Sequence, residues 1–302
     1  MSMRIAVTGK EGQVVRSMRE LGPVMDVEVI AVGRPELDLM DPDTVLRALK
    51  AAKPDAIVSA AAYTAVDRAE ADCEVAFAVN GKGAEAVAKA ARMLRVPLLH
   101  LSTDYVFDGT KIGRYVETDL TAPASVYGAS KLMGERLVAA TMDDYAIFRT
   151  AWVYSHHGQN FLRTMLRLGQ NHSTLAIVAD QRGCPTSAID IGRAMILAAR
   201  KLVVSNDNNL RGLFHLTGSG EATWADFARE IFSAAEAHGR QPVVIDAITS
   251  DQHASIAKRP RNSRLSTEKL LKSYGIALPD WQHSAKDVVN ILLSQPTEKN
   301  YA

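Results

Sequence analysis

Tyr127 and Lys131 stand four residues apart in Val126-Tyr127-Gly128-Ala129-Ser130-Lys131, a segment that patterns as a helix. Both side chains therefore leave the same helix face. A lysine ammonium beside a tyrosine phenol favours the phenolate and is expected to lower a pKa of about 10. A phenol tuned in this way can protonate a carbonyl oxygen while hydride reaches the carbon. Ser102-Thr103-Asp104 closes an earlier strand-like run, and from there Thr103 would orient the same oxygen. Tyr-x-x-x-Lys occurs by chance on many exposed helices, so this chemistry needs the rest of a hydride-transfer site around it.

A second group of residues supplies that context. Gly9-Lys10-Glu11-Gly12-Gln13-Val14 follows the first apolar run and opens a helix. Glycines such as Gly9 and Gly12 let the backbone approach a pyrophosphate, and the helix N-terminus offers unpaired N–H groups and a positive dipole end. Gly-x-x-Gly alone is a common turn; its place after an N-terminal strand makes it a dinucleotide loop. The third glycine of the usual pattern falls at Val15. At the end of the second strand, where an acid would hold the ribose 2′-hydroxyl of NADH, stand Gly33-Arg34. A guanidinium there suits the 2′-phosphate of NADPH; an exposed loop arginine, with NADH as cofactor, is the other reading. Asp38-Leu39 and Ala60-Ala61-Ala62 lie where ribose and adenine would cross the C-terminal edge of a parallel sheet.

Stepping from apolar run to apolar run, strands are expected at Arg4–Thr8, Val27–Val32, Ala56–Ser59, Pro97–Ser102 and Tyr145–Arg149. Helices are expected to begin near Gln13, Pro42, Asp72, Lys82 and Val126, the second behind an Asp41-Pro42 start signal. This alternation predicts an α/β fold, a Rossmann-type doubly wound parallel sheet, with a smaller C-terminal α/β substrate domain. Residues 1–151 would mainly bind cofactor and 152–302 mainly substrate, with a segment at about 188–216 returning to the first domain. Later elements are expected at Phe161–Gln170, Leu175–Val178, Ile189–Arg200 and Gly212–Leu216, with a surface loop at Ser205–Arg211. Thr223-Trp224-Ala225-Asp226 reads as a capping box opening a helix through Ala235, and Ile256–Leu293 as a basic stretch followed by helix.

Composition excludes several classes. Thirty-five basic and 34 acidic residues leave a formal charge of +1, so no global field draws the chain to nucleic acid or an anionic membrane. Cys73 and Cys184 are far apart without metal spacing, and both read as small buried hydrophobes of a reducing compartment. The N-terminus lacks the parts of a signal peptide and no apolar window spans a bilayer, so a cytoplasmic protein is expected. His156-His157 has no further ligand at helical spacing and reads as a solvated loop, so no metal site is expected. Trp224 and Phe227 read as core. Lys258-Arg259-Pro260-Arg261 lacks neighbouring aromatics and suits a diphosphate clamp better than RNA.

Together these segments resemble the extended short-chain dehydrogenase/reductase superfamily and, within it, the dTDP-4-dehydrorhamnose reductases over nearly the whole length. The resemblance rests on residues 9–14, Ala60–Asp67, Ser102–Gly109, Glu117-Thr118-Asp119, Val126-Tyr127-Gly128, Arg149–Tyr154, Asn160-Phe161, Asp180-Gln181, Pro185-Thr186 and Arg259–Leu265. It implies reduction, with NADPH or NADH, of the C4 ketone of dTDP-4-dehydro-L-rhamnose to dTDP-L-rhamnose for cell-surface polysaccharide. Gly12, Gln13 and Val14 would hold the pyrophosphate, Asp38 and Leu39 the adenosine, and Ala62, Tyr63 and Thr64 the nicotinamide half. Tyr127 would be the proton donor and Lys131 its partner and a ribose ligand. Thr103, Asp104, Trp152 and Asn160 would line the sugar site, with Arg259 closing over the nucleotide diphosphate. Ser59 replaces a usual asparagine. Ile189 follows Pro-Thr-x-Ala, which argues against a Mg2+-bridged dimer found in some members and leaves monomer or homodimer open. Three rivals remain: a reductase of opposite C4 stereochemistry, a dehydratase (disfavoured because Tyr105, not glutamate, follows Thr103-Asp104), and a non-catalytic regulatory subunit of the same fold.

Overall fold

The computed structural model describes residues 2–253 and 255–294. In the first part, β1 (Met3–Thr8), α1 (Gln13–Val24), β2 (Val27–Val32), α2 (Pro42–Ala52) and β3 (Ala56–Ser59) lead through short helices α3 (Val66–Ala69) and α4 (Cys73–Phe77). A wide π turn at Ala78–Lys82 then joins α5 (Gly83–Leu94), β4 (Leu98–Thr103), α6 (Val126–Thr141) and β5 (Tyr145–Thr150). Beyond it come β6 (Val153–Tyr154), α7 (Phe161–Leu168), β7 (Thr174–Val178), β8 (Arg182–Gly183), β9 (Thr186–Ser187), α8 (Ala188–Val204) and β10 (Gly212–His215). The chain closes with β11 (Ala222–Thr223), α9 (Trp224–Glu236), β12 (Val244–Ile248), α10 (Glu268–Tyr274) and α11 (Trp281–Ser294).

Six parallel strands form the central sheet in the order β10-β5-β4-β3-β1-β2. Strand order reverses between β1 and β3, and ligands of open α/β sheets bind outside the strand C-termini at such a point. The Thr8 hydroxyl fastens the two strand ends there, accepting from the amides of Ala60 and Ala61 at 3.0 Å each. Buried strands need apolar residues on both faces. One face packs against α1 and α8 through Met18, Leu21, Ile191 and Met195, the other against α2 and α5 through Val45, Leu49 and Val87. A separate apolar cluster around Tyr154, Phe227, Ile231, Trp281 and Val289 holds α7, α9 and α11 together.

Helix starts follow their chemistry. The Asp41 side chain accepts from the Asp43 amide behind Pro42, Ser125 caps α6 through the Gly128 amide, and Thr223 with Asp226 forms a reciprocal capping box. The helices expected near Asp72 and Lys82 are α4 and α5, joined by the π turn, in which Asn80 turns inward. Its side chain accepts from the Tyr63 amide and donates to the Tyr63 carbonyl and the Ser130 hydroxyl. Strand β12, parallel to β7, has no counterpart in the apolar pattern because it is mostly exposed. Cys73 is exposed at the start of α4, correcting its reading as a buried hydrophobe, whereas Cys184 is buried.

One buried polar knot sets α6 against the sheet. Arg149 of β5 grips the Glu135 carboxylate of α6 with Nε at 2.9 Å and Nη2 at 2.7 Å, and the Ser102 hydroxyl of β4 donates to it at 2.5 Å. Both ion-pair side chains are under one-tenth exposed. Removing one partner of such a pair strands a buried charge, whereas an exposed pair contributes little. Glu135→Ala should therefore lose about 3–5 kcal/mol of unfolding free energy in urea titrations. Glu28→Ala, which removes the exposed partner of Arg4, should lose about 1 kcal/mol or less; similar losses in the two variants would contradict this account.

Candidate active site

A cleft of about 1150 Å³ opens over the C-terminal ends of β1, β3, β4 and β5. Its cofactor-like end is built from backbone. Gly9 adopts φ +98°, a region L side chains rarely occupy, and donates its amide to the Val32 carbonyl at 2.7 Å. Gly12 precedes α1 in extended conformation, and no side chain caps that helix. The unpaired first-turn amides of α1 thus form an anion seat. Gly9, Gly12, Gln13, Val14, Ala62 and Thr64 all line the cleft. A pyrophosphate-bearing dinucleotide fits this donor set.

In mid-cleft stand Thr103, Asp104, Tyr127 and Lys131. The Thr103 hydroxyl donates to Asp104 Oδ1 at 3.0 Å, and both residues line the cleft with Tyr127. The Tyr127 ring still meets the cleft, but desolvation around its hydroxyl pushes the pKa up to about 12; Thr103 offsets part of this and Asp104 adds to it. The expected lowering of the phenol by Lys131 is corrected here. The buried Lys131 ammonium donates to the Leu101 carbonyl at 2.6 Å, and burial brings its own pKa down to about 8 against the opposing pull of Glu135. Burial, not the lysine, sets the phenol's proton affinity in this chain, and Tyr127 holds its proton firmly at neutral pH. Asp104 is likewise driven up to about 7 by desolvation, with Ser263 and Thr103 offsetting part of the cost.

The far wall is aromatic. Trp152 stacks on Trp224 with ring centroids 3.5 Å apart and planes 2° apart. Trp152 carries φ +47°, strained for a side chain of this size, and the stack helps to hold it. A Cβ on Gly183 would come within 2.3 Å of the Trp152 ring, so glycine is required behind it. Trp224 also donates to the Gln181 side chain at 3.1 Å. It lines the cleft beside Trp152, correcting its reading as core, while Phe227 is fully buried. Arg259 reaches the same cleft from the C-terminal segment and pairs with Asp67 at 2.7 Å. Asn160 caps α7 and donates to Gln13 Oε1 at 2.9 Å.

Four expected residues do not line this cleft. Arg34 is exposed just beyond β2 and Asp38 is half-buried in the following turn. Leu39 spends its side chain in the core against Gly83. Tyr63 turns its hydroxyl away to Asp72 at 2.7 Å, leaving its braced backbone beside the cleft residues Ala62 and Thr64. His156-His157 is no solvated loop: both rings pack beside Glu20 of α1, 136 positions away in sequence, and His157 is buried. Asn80 and Gly183 are positioning residues that local patterning missed, whereas Gln181 fell within the Asp180-Gln181 motif.

Comparison with known proteins agrees with this architecture. A family model described as RmlD substrate binding domain matches residues 3–294. A Sinorhizobium fredii protein named dTDP-4-dehydrorhamnose reductase is 51% identical over 292 residues, covering 96% of this chain and 98% of the relative. A crystal structure of a dTDP-4-dehydrorhamnose reductase from Clostridium acetobutylicum superposes with TM-score 0.88 at 35% identity, covering 96% and 99% of the two chains. A second, from Bacillus anthracis in complex with NADP, gives TM-score 0.87 at 32% identity over 95% and 99%.

The elevated Asp104 carboxyl carries a pH signature. It ionises at about 7 when folded, against 3.8 ordinarily. Between those values the folded chain keeps a proton that the unfolded chain has released, so this group's contribution to stability falls as pH rises across the window. Asp104→Asn removes that fall. The variant's thermal midpoint relative to the native chain should climb steadily from about pH 4 to about pH 7; a difference independent of pH would refute the raised carboxyl.

Proposed function

The chain belongs to the family described as RmlD substrate binding domain, and from that premise we propose that it reduces the C4 ketone of dTDP-4-dehydro-L-rhamnose to dTDP-L-rhamnose. This would be the final step of dTDP-rhamnose biosynthesis, which supplies cell-surface polysaccharide. The observation that carries the reading is the meeting of Thr103, Tyr127 and Lys131 in one cleft with the uncapped N-terminus of α1. Relatives named for this reaction, matched over nearly the full chain, support the substrate class.

Gly9, Gly12, Gln13 and Val14 would seat the pyrophosphate of a nicotinamide dinucleotide, and Ala62 and Thr64 would border its nicotinamide half. Bound there, the dinucleotide supplies hydride to the carbonyl carbon. The protein's own part is the proton. Thr103 orients the C4 oxygen by a hydrogen bond, and Tyr127 gives that oxygen its phenolic proton. A phenol near 12 is fully protonated at neutral pH and yields its proton as negative charge builds on the oxygen. Lys131, one helical turn away with its ammonium donating to the Leu101 carbonyl, would be a ligand of the cofactor ribose. Trp152 on Trp224 offers a flat apolar wall for the deoxysugar, and Arg259 a fork for the diphosphate.

The same reading gives the cofactor role to residues 1–151 with the returning segment 188–216, and the sugar-nucleotide role to the remainder of 152–302. Arg34 makes no ion pair among the described residues and is free to meet a ribose 2′-phosphate, so NADPH is the proposed donor in preference to NADH. The NADP complex of the Bacillus anthracis protein supports that choice.

Tyr127→Phe should fold and bind NADPH as the native chain does, by fluorescence titration, yet lose about 10²–10⁴-fold in kcat with dTDP-4-dehydro-L-rhamnose. Near-native turnover would remove Tyr127 from its role. NMR of the product decides the stereochemistry, a 6-deoxy-L-talose nucleotide marking the opposite reductase. Cofactor binding by the native chain without turnover would mark a regulatory subunit. Arg34→Glu should cut the NADPH-to-NADH ratio of kcat/KM at least about tenfold, the worth of one charge-assisted contact; an unchanged ratio would clear Arg34 of cofactor selection.

A further inference from the structure

We propose that Glu20, His156 and His157 form a binding site for a divalent cation of the zinc class, which clamps the loop at residues 155–160 onto α1. One ligand atom from each residue lies within 4.8 Å of the others. His156 Nε2 is 3.2 Å from the Glu20 carboxylate, and His157 Nε2 is 2.6 Å from Glu20 Oε1. That last nitrogen is buried and makes no directed hydrogen bond despite its closeness. His156 Nε2 hydrogen-bonds Glu20 Oε1 at 3.2 Å, so the carboxylate already holds one imidazole while the second, 2.6 Å away, is left without a directed partner, an arrangement a shared cation would complete. Two imidazoles and one carboxylate are a known zinc donor set, with a fourth position open to water. Imidazole nitrogens disfavour Mg2+, which prefers six oxygens.

The donors are held in place and reachable. His157 is buried, with its ring set against Glu20. The half-exposed Glu20 leaves an entry from solvent. Loop shape is fixed without an ion: the Ser155 hydroxyl accepts from the His157 amide at 2.9 Å, Asn160 donates to the carbonyls of Ser155 and His157, and Arg163 donates to the His156 carbonyl.

Placement gives the site a consequence. Gln13 and Glu20 are seven residues apart and share one face of α1. Gln13 accepts from Ser155 and Asn160 of the same loop and lines the cleft. A cation at Glu20 would therefore fasten the second end of a contact whose first end borders the proposed cofactor seat.

Calorimetric titration of the tag-free full chain with zinc chloride tests the site. The expected result is one Zn2+ per chain, a Co2+ adduct with the intense visible bands of four-coordination, and no competition from excess Mg2+. His157→Ala and Glu20→Gln should each weaken Zn2+ at least about tenfold, the worth of one lost ligand of ~1.4 kcal/mol, and abolish the zinc-dependent rise in thermal midpoint. Because Glu20 is half-exposed, its variant keeps the test open should the histidine variant misfold. No Zn2+ binding by the native chain, unchanged affinity in Glu20→Gln, or equal binding of Mg2+ would each overturn the proposal.

Discussion

The Glu135 carboxylate takes two bonds from Arg149 and one from Ser102, and so ties α6 to β5 and β4 at once. Each of these elements also carries a residue of the cleft: Lys131 one turn before Glu135, Thr103 next to Ser102, and Thr150 next to Arg149. A bidentate guanidinium pair fixes orientation as well as distance. Buried ion pairs repay their desolvation poorly as stabilising devices, and fixing a register is a better-attested use of them. Here the register is that of a phenol against a threonine hydroxyl. Gly134, beside Glu135, reinforces it from the other flank, because a Cβ there would lie 2.3 Å from the Asn80 carbonyl. Helix α6 is therefore held on one side by a charge pair and on the other by backbone contact.

Burial does the electrostatic work around this knot. It raises the phenol and the Asp104 carboxyl, and lowers Lys131 and the nearby His215, the last to about 3. All four shifts favour the neutral form, as desolvation demands. The cleft's anion seat, by contrast, relies on peptide dipoles that cannot be titrated. A chain with almost no net charge can hold anionic ligands in this way, by placement of a few groups.

Much of the fold was legible because its signals are local. Apolar runs of four to six residues marked the five strands from β1 to β5 within about a residue at their ends, and Asp41, Thr223 and the residues after β1 announced their helices. The same locality explains why Tyr127 and Lys131 were found together. What escaped depends on partners distant in sequence. Asn80 matters because it meets Tyr63 and Ser130, Gly183 because Trp152 lies against it, and the histidine pair because α1 presents Glu20. The supposed lysine effect on the phenol failed for a related reason: i,i+4 spacing shows which face two side chains share, not where a long lysine ends. Its ammonium chose the Leu101 carbonyl.

The Arg259–Asp67 pair has an effect on how the cleft is filled. Asp67 also accepts from the Ala257 amide at 3.0 Å, so one carboxylate from the sheet half holds the C-terminal segment in position. A diphosphate binding at Arg259, as proposed, would meet a guanidinium already engaged, and its binding would be an exchange of one anion for another. Partly exposed pairs such as this are worth about 1 kcal/mol or less, and a phosphate fork is stronger. Such an exchange would favour the phosphate, and the arginine would not have to be ordered from a free state. Asp67 acts as a placeholder, keeping the segment in its docked position before any ligand enters.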